Sequence, residues 1–205
     1  MNKELKEKYG LFNSIQKQYE FIRSNPEDQK GKNSIQWIAP YMDILKYYSS
    51  KGQITVEFGI NQVNSTWAFL SSTCQEVHSV DIDLHKNPIK HLPDLKTNIW
   101  LEHAHNLAQK ENKKFYSYEC SSLDVRFPEI DFLFIDSLHK KSHLEQEIDI
   151  HLGSVKQYIG FHDTTLFESE LRPVINKLLC DNPEWKLEYF DNRFCGITIL
   201  KKYPK

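Results

Sequence analysis

Glycine is scarce in this chain, with seven in 205 residues. The stretch "VEFGINQVNST" at 56–66 reads as a strand, a tight turn and a helix start, yet it holds only Gly59. A pyrophosphate must approach the backbone closely, so the paired glycines of a dinucleotide loop are needed there. Asn61 and Asn64 stand in those places, which argues against a nicotinamide-dependent oxidoreductase. Cysteine is also sparse. Cys74, Cys120, Cys180 and Cys195 form no CxxC pair, so neither a zinc knuckle nor a redox motif is present. No apolar run approaches ~18 residues and no signal peptide opens the chain. The expectation is a cytoplasmic protein with reduced thiols and no membrane partner. Excess charge of either sign is lacking too. A formal net charge of −2 and a pI near 6.5 give no electrostatic case for nucleic acid. The Lys-rich first eight residues and the closing "KKYPK" read as solubilising ends.

What is present suffices for an ordinary core, with 40% apolar and 13% aromatic residues. The length suggests one domain with a small extension. Residues 1–48 read as an N-terminal helical extension. Phe12, Ile15, Tyr19 and Ile22 recur at helical spacing, and a polar break follows at 24–33. A second helix is expected from Pro40, carrying Tyr41, Leu45 and Tyr48 on one stripe. From 49 to 205 the texture changes. The short runs "ITVEFG" (54–59), "EVHSVDID" (76–83), "FYSYE" (115–119), "DFLFID" (131–136) and "YIGFHD" (158–163) alternate with helical stretches. One stretch carries Leu144, Ile148 and Leu152, and another is expected to start near Pro173. Two final runs, "WKLEYF" (185–190) and "FCGITILKK" (194–202), form a hairpin. The predicted fold is α/β: a Rossmann-like, doubly wound, seven-stranded, mostly parallel sheet with an antiparallel last strand.

Such sheets bind ligands at the carboxyl ends of their strands. Those ends carry Glu57 with Gly59, Asp81 with Asp83, Cys120 with Ser121 and Ser122, Asp136 with His139, and His162 with Asp163 and Thr164. Asp81 lies where an acid accepts hydrogen bonds from a ribose diol. Asn tolerates positive φ, so Asn64 can replace a turn glycine. Ser65 and Thr66 can cap the helix that follows. Asp136, His162 and Asp163 come from neighbouring strand ends. Two carboxylates and an imidazole suit Mg²⁺ or Mn²⁺, and capping of the loop after the strand is the plainer alternative. His139 is read as a general base, as a partner to a carboxylate, or as a plain loop histidine. His103 and His105 fall on different helix faces. His78, His85, His91, His143 and His151 read as surface residues.

"VEFGINQVNST", "VHSVDID", "DFLFIDSLH" and "YIGFHDTT" together resemble the class I S-adenosylmethionine-dependent methyltransferases over residues 45 to 201. Within them the chain is similar to the small-molecule O-methyltransferase branch called methyltransferase family 24. The resemblance implies that Glu57, Gly59 and Asn61 line the methionine part of the cofactor and that Asp81 holds the ribose. It implies that Ser121 and Ser122 border the adenine. Asp136, His162 and Asp163 then match a Mg²⁺ site. The implied activity is metal-assisted O-methyl transfer to a small hydroxylated acceptor, such as a sugar or sugar nucleotide, with homo-oligomerisation left open. Three departures stand out: Val63–Asn64 for the usual glycine pair, Ser121 for an acid, and Leu138 where a catalytic acid is common. Ser121 can still accept a hydrogen bond, whereas the altered glycine turn and Leu138 support the rival reading, a non-catalytic binding module with a decayed cofactor site.

Overall fold

The computed structural model describes residues 11–24, 38–84 and 98–204. His85, His91, the Lys-rich start and most of the polar break at 24–33 lie outside them. Among the described residues the helices are α1 (Ile15–Ser24), α2 (Met42–Ser49), α3 (Asn64–Leu70), α4 (Ile99–Lys110), α5 (Lys141–His151) and α6 (Glu168–Asp181). The strands are β1 (Ile54–Phe58), β2 (Glu76–Asp81), β3 (Lys114–Glu119), β4 (Ile130–Ile135), β5 (Val155–His162), β6 (Trp185–Asp191) and β7 (Ile197–Lys202).

All seven join one sheet in the order β3-β2-β1-β4-β5-β7-β6. β1 to β5 pair in parallel, and β7 runs antiparallel to both of its neighbours. Parallel neighbours need crossovers, and helices supply them except between β3 and β4, where residues 120–129 form no helix. Two cores result, one on each sheet face. One joins α1 to α4 with Phe132, Phe134 and Tyr158 of the sheet. The other joins α5 and α6 with Val56, Phe58, Leu133 and Ile159. Burial of "FLFI" (132–135) follows from this, because β4 is central and covered on both sides.

The described part of the N-terminal segment belongs to the first core. α1 buries Ile15, Tyr19 and Ile22, and the ring of Tyr48 in α2 packs at a tilt against Phe132 and Tyr158. Pro40 sits in a 3-10 turn, Ala39–Tyr41, that leads into α2. The expectation for Pro173 needs correction. α6 begins at Glu168, and Pro173 lies inside it. Acidic Glu168 and Glu170 occupy the first turn, where the helix dipole favours them. Strand order reverses between β1 and β4, with β2 and β3 on one side and β5 on the other. That reversal opens a crevice at the carboxyl edge of the sheet.

Candidate functional site

Two adjoining clefts occupy this edge. The first, about 370 Å³, lies among the ends of β1 to β4 and is lined by Gly59, Asn61, Asp81, Ile82, Ser121, Ser122, Leu138 and His143. The second, about 400 Å³, lies over β4 and β5 and is lined by Ile38, Asn64, Ser65, Asp136, His139, His162, Asp163 and Phe167. Asn61, Asp136 and Ser137 form their common wall. A larger cavity of about 590 Å³ lies at the opposite, amino edge, beside Gly153, Asp181 and Trp185. It contains neither of the metal-competent clusters found among the described residues.

The turn after β1 owes its shape to close backbone contact. Gly59 has φ +84, and a Cβ there would lie 2.1 Å from the Asp136 carbonyl oxygen. Only glycine lets the turn meet the end of β4 so closely. The next left-handed residues are Asn61 (φ 41) and Val63 (φ 64). Asn64 does not take that role, because it is already the first residue of α3. Ser65 and Thr66 do not cap the helix either. Their hydroxyls donate to the carboxylate of Glu57, joined by Ser79 at 2.9 Å. Glu57 is wholly buried and appears in the lining of neither cleft. Burial pushes its pKa up to about 7, against the pull of these three hydroxyls. An acid in an apolar strand looks like a ligand in sequence, but here it ties β1 to β2 and α3.

Asp81 does reach the first cleft. Its Oδ2 accepts the Ile60 amide at 2.8 Å and its Oδ1 accepts the Asp83 amide at 2.9 Å. Oδ2 also takes the Asn61 amide at 3.4 Å, so Oδ1 is the oxygen that keeps a further acceptor direction. Ser121 Oγ accepts the Leu123 amide at 3.1 Å. Ser122 Oγ donates to Glu147 Oε1 at 2.5 Å, and Ser137 Oγ donates to the same oxygen at 2.7 Å. His143 Nε2 stands 3.3 Å from it. Glu147 is fully buried, and burial raises its pKa despite these donors. Its Oε2 has no partner.

Three histidines read as surface residues are not. His143 lines the cleft, and His151 is buried against the Ser122 carbonyl at 2.8 Å. His78 stacks on Tyr116 and Tyr118. The missed signal was the stripe of α5. Glu147 and His151 fall three and seven places after Leu144, on its buried face.

In the second cleft, His139 Nε2 lies 3.3 Å from both Asp136 Oδ1 and Asp163 Oδ2. Its ring stacks flat on Phe167. Asp136, His139 and Asp163 each offer one donor atom within 4.8 Å of the others. His162 Nδ1 lies 2.9 Å from Asp136 Oδ1 and 3.4 Å from Asp163 Oδ1. The predicted ligands Asp136, His162 and Asp163 are therefore neighbours, with His139 added. Burial opposes charge on Asp136, but His162 and His139 outweigh it and hold its carboxyl below the usual range. Burial likewise opposes charge on His162, yet Asp136 and Cys195 outweigh it and its pKa stands well above the ordinary value. Asp163 is raised by burial, with His162 pulling the other way. Two carboxylates and an imidazole at a cleft wall fit a divalent cation. Asp81, beside the exposed apolar side chains of Ile82 and Leu138, fits a ribose and a flat base.

No family model matches the chain, and no curated protein matches it. Solved structures do. The O-methyltransferase TomG from Streptomyces achromogenes, involved in tomaymycin synthesis and solved with SAM, superposes with TM-score 0.59 at 10% identity, covering 94% of this chain and 91% of that one. An O-methyltransferase from Bacillus cereus, solved with SAH, gives 0.55 at 12% identity, covering 92% and 90%. A rRNA methylase from Streptococcus thermophilus gives 0.53 at 14% identity, covering 82% and 97%. At these identities the likeness concerns the backbone: the chain has the class I, Rossmann-like methyltransferase fold.

Proposed function

We propose that this protein transfers a methyl group from S-adenosylmethionine to a hydroxyl of a small molecule, assisted by a divalent cation. One observation carries the reading. The cleft holding Asp81 and the cleft holding Asp136, His139 and Asp163 share a wall, so donor and acceptor would meet at Asp136. Neighbours of this fold were solved with SAM or SAH. The near-neutral charge favours a small acceptor over an RNA, although a rRNA methylase shares the fold.

Each residue has a defined task. Asp81 accepts from the ribose hydroxyls while its backbone bonds hold the turn. Asn61 and Ser65 border the methyl-transfer region, and Ser121 and Ser122 border the base. Gly59 lets the turn lie against β4. Asp136, His139 and Asp163 would hold the cation, with His162 steadying Asp136. A cation there supplies Lewis acidity that lowers the pKa of the acceptor hydroxyl. His139 Nε2 either ligates or accepts that hydroxyl's proton; one lone pair cannot do both. Glu57 takes no part in contacting the donor, because its carboxylate is spent inside the fold.

Isothermal titration with S-adenosylmethionine and its demethylated product is the first test. Binding of both is expected, and no heat at millimolar ligand removes the proposal. Turnover on pooled hydroxylated metabolites with labelled methyl donor then tests transfer. Chelation and Asp163→Ala are each expected to lower turnover by at least about tenfold. Unchanged turnover after chelation would leave His139 as base and the acids as structure. The second reading, a binding module without catalysis, draws on Leu138 and on the buried Glu57. It predicts donor binding without turnover on any acceptor.

A further inference from the structure

His162 and Asp163, in the wall of the second cleft, belong to a further donor cluster that shares only Asp163 with the ligands proposed for methyl transfer. His162, Asp163 and Cys195 each place one ligand atom within 4.8 Å of the others. His162 ends β5, and Cys195 arrives on the loop between β6 and β7. Pairing of His162 with Ile197 brings that loop alongside. The two ring nitrogens of His162 face different partners: Nδ1 is 2.9 Å from Asp136 Oδ1, and Nε2 is 3.2 Å from Cys195 Sγ. A carboxylate on one ring nitrogen is the common outer partner of a metal-binding histidine, because it fixes the tautomer that leaves the other nitrogen as ligand. Here the other nitrogen faces a thiol.

Asp163 divides its oxygens. Oδ2 is 3.3 Å from His139 and Oδ1 is 3.4 Å from His162. Cys195 also hydrogen-bonds Asp163, so thiol, imidazole and carboxylate already meet at one point. Asp163 is also held at φ 57, in a region that side chains seldom adopt. Cys195 has no exposed surface and His162 is 4% exposed.

We propose that His162, Asp163 and Cys195 bind a borderline-soft divalent cation, zinc by preference, behind the oxygen-rich position of the cleft. Thiolate and imidazole donors favour Zn²⁺ and discriminate against Mg²⁺. On binding, the sulfur–hydrogen bond gives way to a sulfur–metal bond and the proton leaves to solvent. Three protein ligands leave a fourth position for water or an acceptor. The proposal does not rest on methyl transfer and stands whether or not S-adenosylmethionine binds.

Cobalt serves as the probe. The full chain, stripped with a chelator and titrated with Co²⁺, is expected to develop thiolate-to-cobalt charge-transfer absorption at one ion per chain. Cys195→Ser should abolish that absorption and weaken binding at least about tenfold, while Cys180→Ser keeps it. Zinc-edge X-ray absorption on the unaltered protein should find one sulfur at about 2.3 Å, which keeps the test open if the variant does not fold. Cobalt held by nitrogen and oxygen alone, a zinc spectrum without sulfur, or no binding would each overturn the proposal. Calorimetry with S-adenosylmethionine on the metal-free protein bears on the transferase reading alone.

Discussion

A carboxylate without exposed surface, supplied by three hydroxyls, has a proton affinity unlike that of a surface acid. Glu57 is that group, with its pKa near 7 against about 4.3 in an unfolded chain. Between these values the folded protein binds the extra proton. Its stabilising contribution is therefore complete below about pH 4.3 and is lost as pH rises through about 7. Glu57→Gln cannot titrate. Subtracting the variant's stability from that of the wild type, pH by pH, cancels the opposing shifts of Asp136 and His162. The difference is expected to move against the wild type by on the order of 3 kcal/mol from pH 4 to pH 8. Urea denaturation across that range measures it, and parallel curves would show that Glu57 titrates in the fold as it does in the unfolded chain. Sequence could not reveal this role. An acid in "VEFG" is compatible with a ligand or with a buried tie, and only the arrival of Ser65, Thr66 and Ser79 around it decides.

The turn between β1 and α3 carries an unusual cost at Val63. A β-branched residue at φ 64 is strained by about 1–3 kcal/mol, and Val63 is also fully buried in the core. Truncation to Ala loses packing and keeps much of the strain. Truncation to Gly loses slightly more packing and removes the strain. Val63→Gly is thus expected to be at least as stable as Val63→Ala, by up to about 1 kcal/mol. Chemical denaturation midpoints of the two variants decide it, and a clearly less stable glycine variant refutes the strain argument. The elements themselves were far more legible than this turn. Each strand is an apolar run between polar breaks, so "ITVEF" and "DFLFI" fall at β1 and β4. Pro173 misled, because proline at a helix start is common, whereas here it costs α6 one internal bond that tertiary packing offsets. Asn64 misled for a related reason. Propensity favours Asn at positive φ, but burial of the valine side chain placed the left-handed residue one position earlier.

At the scale of the whole molecule, the order of strands decides which residues meet. Alternating strands and helices were enough to expect a doubly wound sheet with its acids at one edge, and Asp81, Asp136 and Asp163 do lie there. Cys195 could not be placed in the same way. Its approach to His162 depends on β7 inserting between β5 and β6, a pairing over 30 residues that no local pattern encodes. The same topology makes a prediction about the whole chain. A donor bound at the switch point would bridge the ends of β1, β2 and β3. At a hundredfold excess over Kd it would stabilise the fold by about 2.7 kcal/mol. Amide exchange should slow at 59–61, 81–83 and 121–123, where backbone amides meet the first cleft. The cavity beside Gly153, Asp181 and Trp185 lies at the other edge and should exchange at an unchanged rate. Hydrogen exchange with and without S-adenosylmethionine reads both regions in one experiment. Protection centred on the amino edge would move the ligand site to the larger cavity, and the argument from the carboxyl ends of the strands would fail with it.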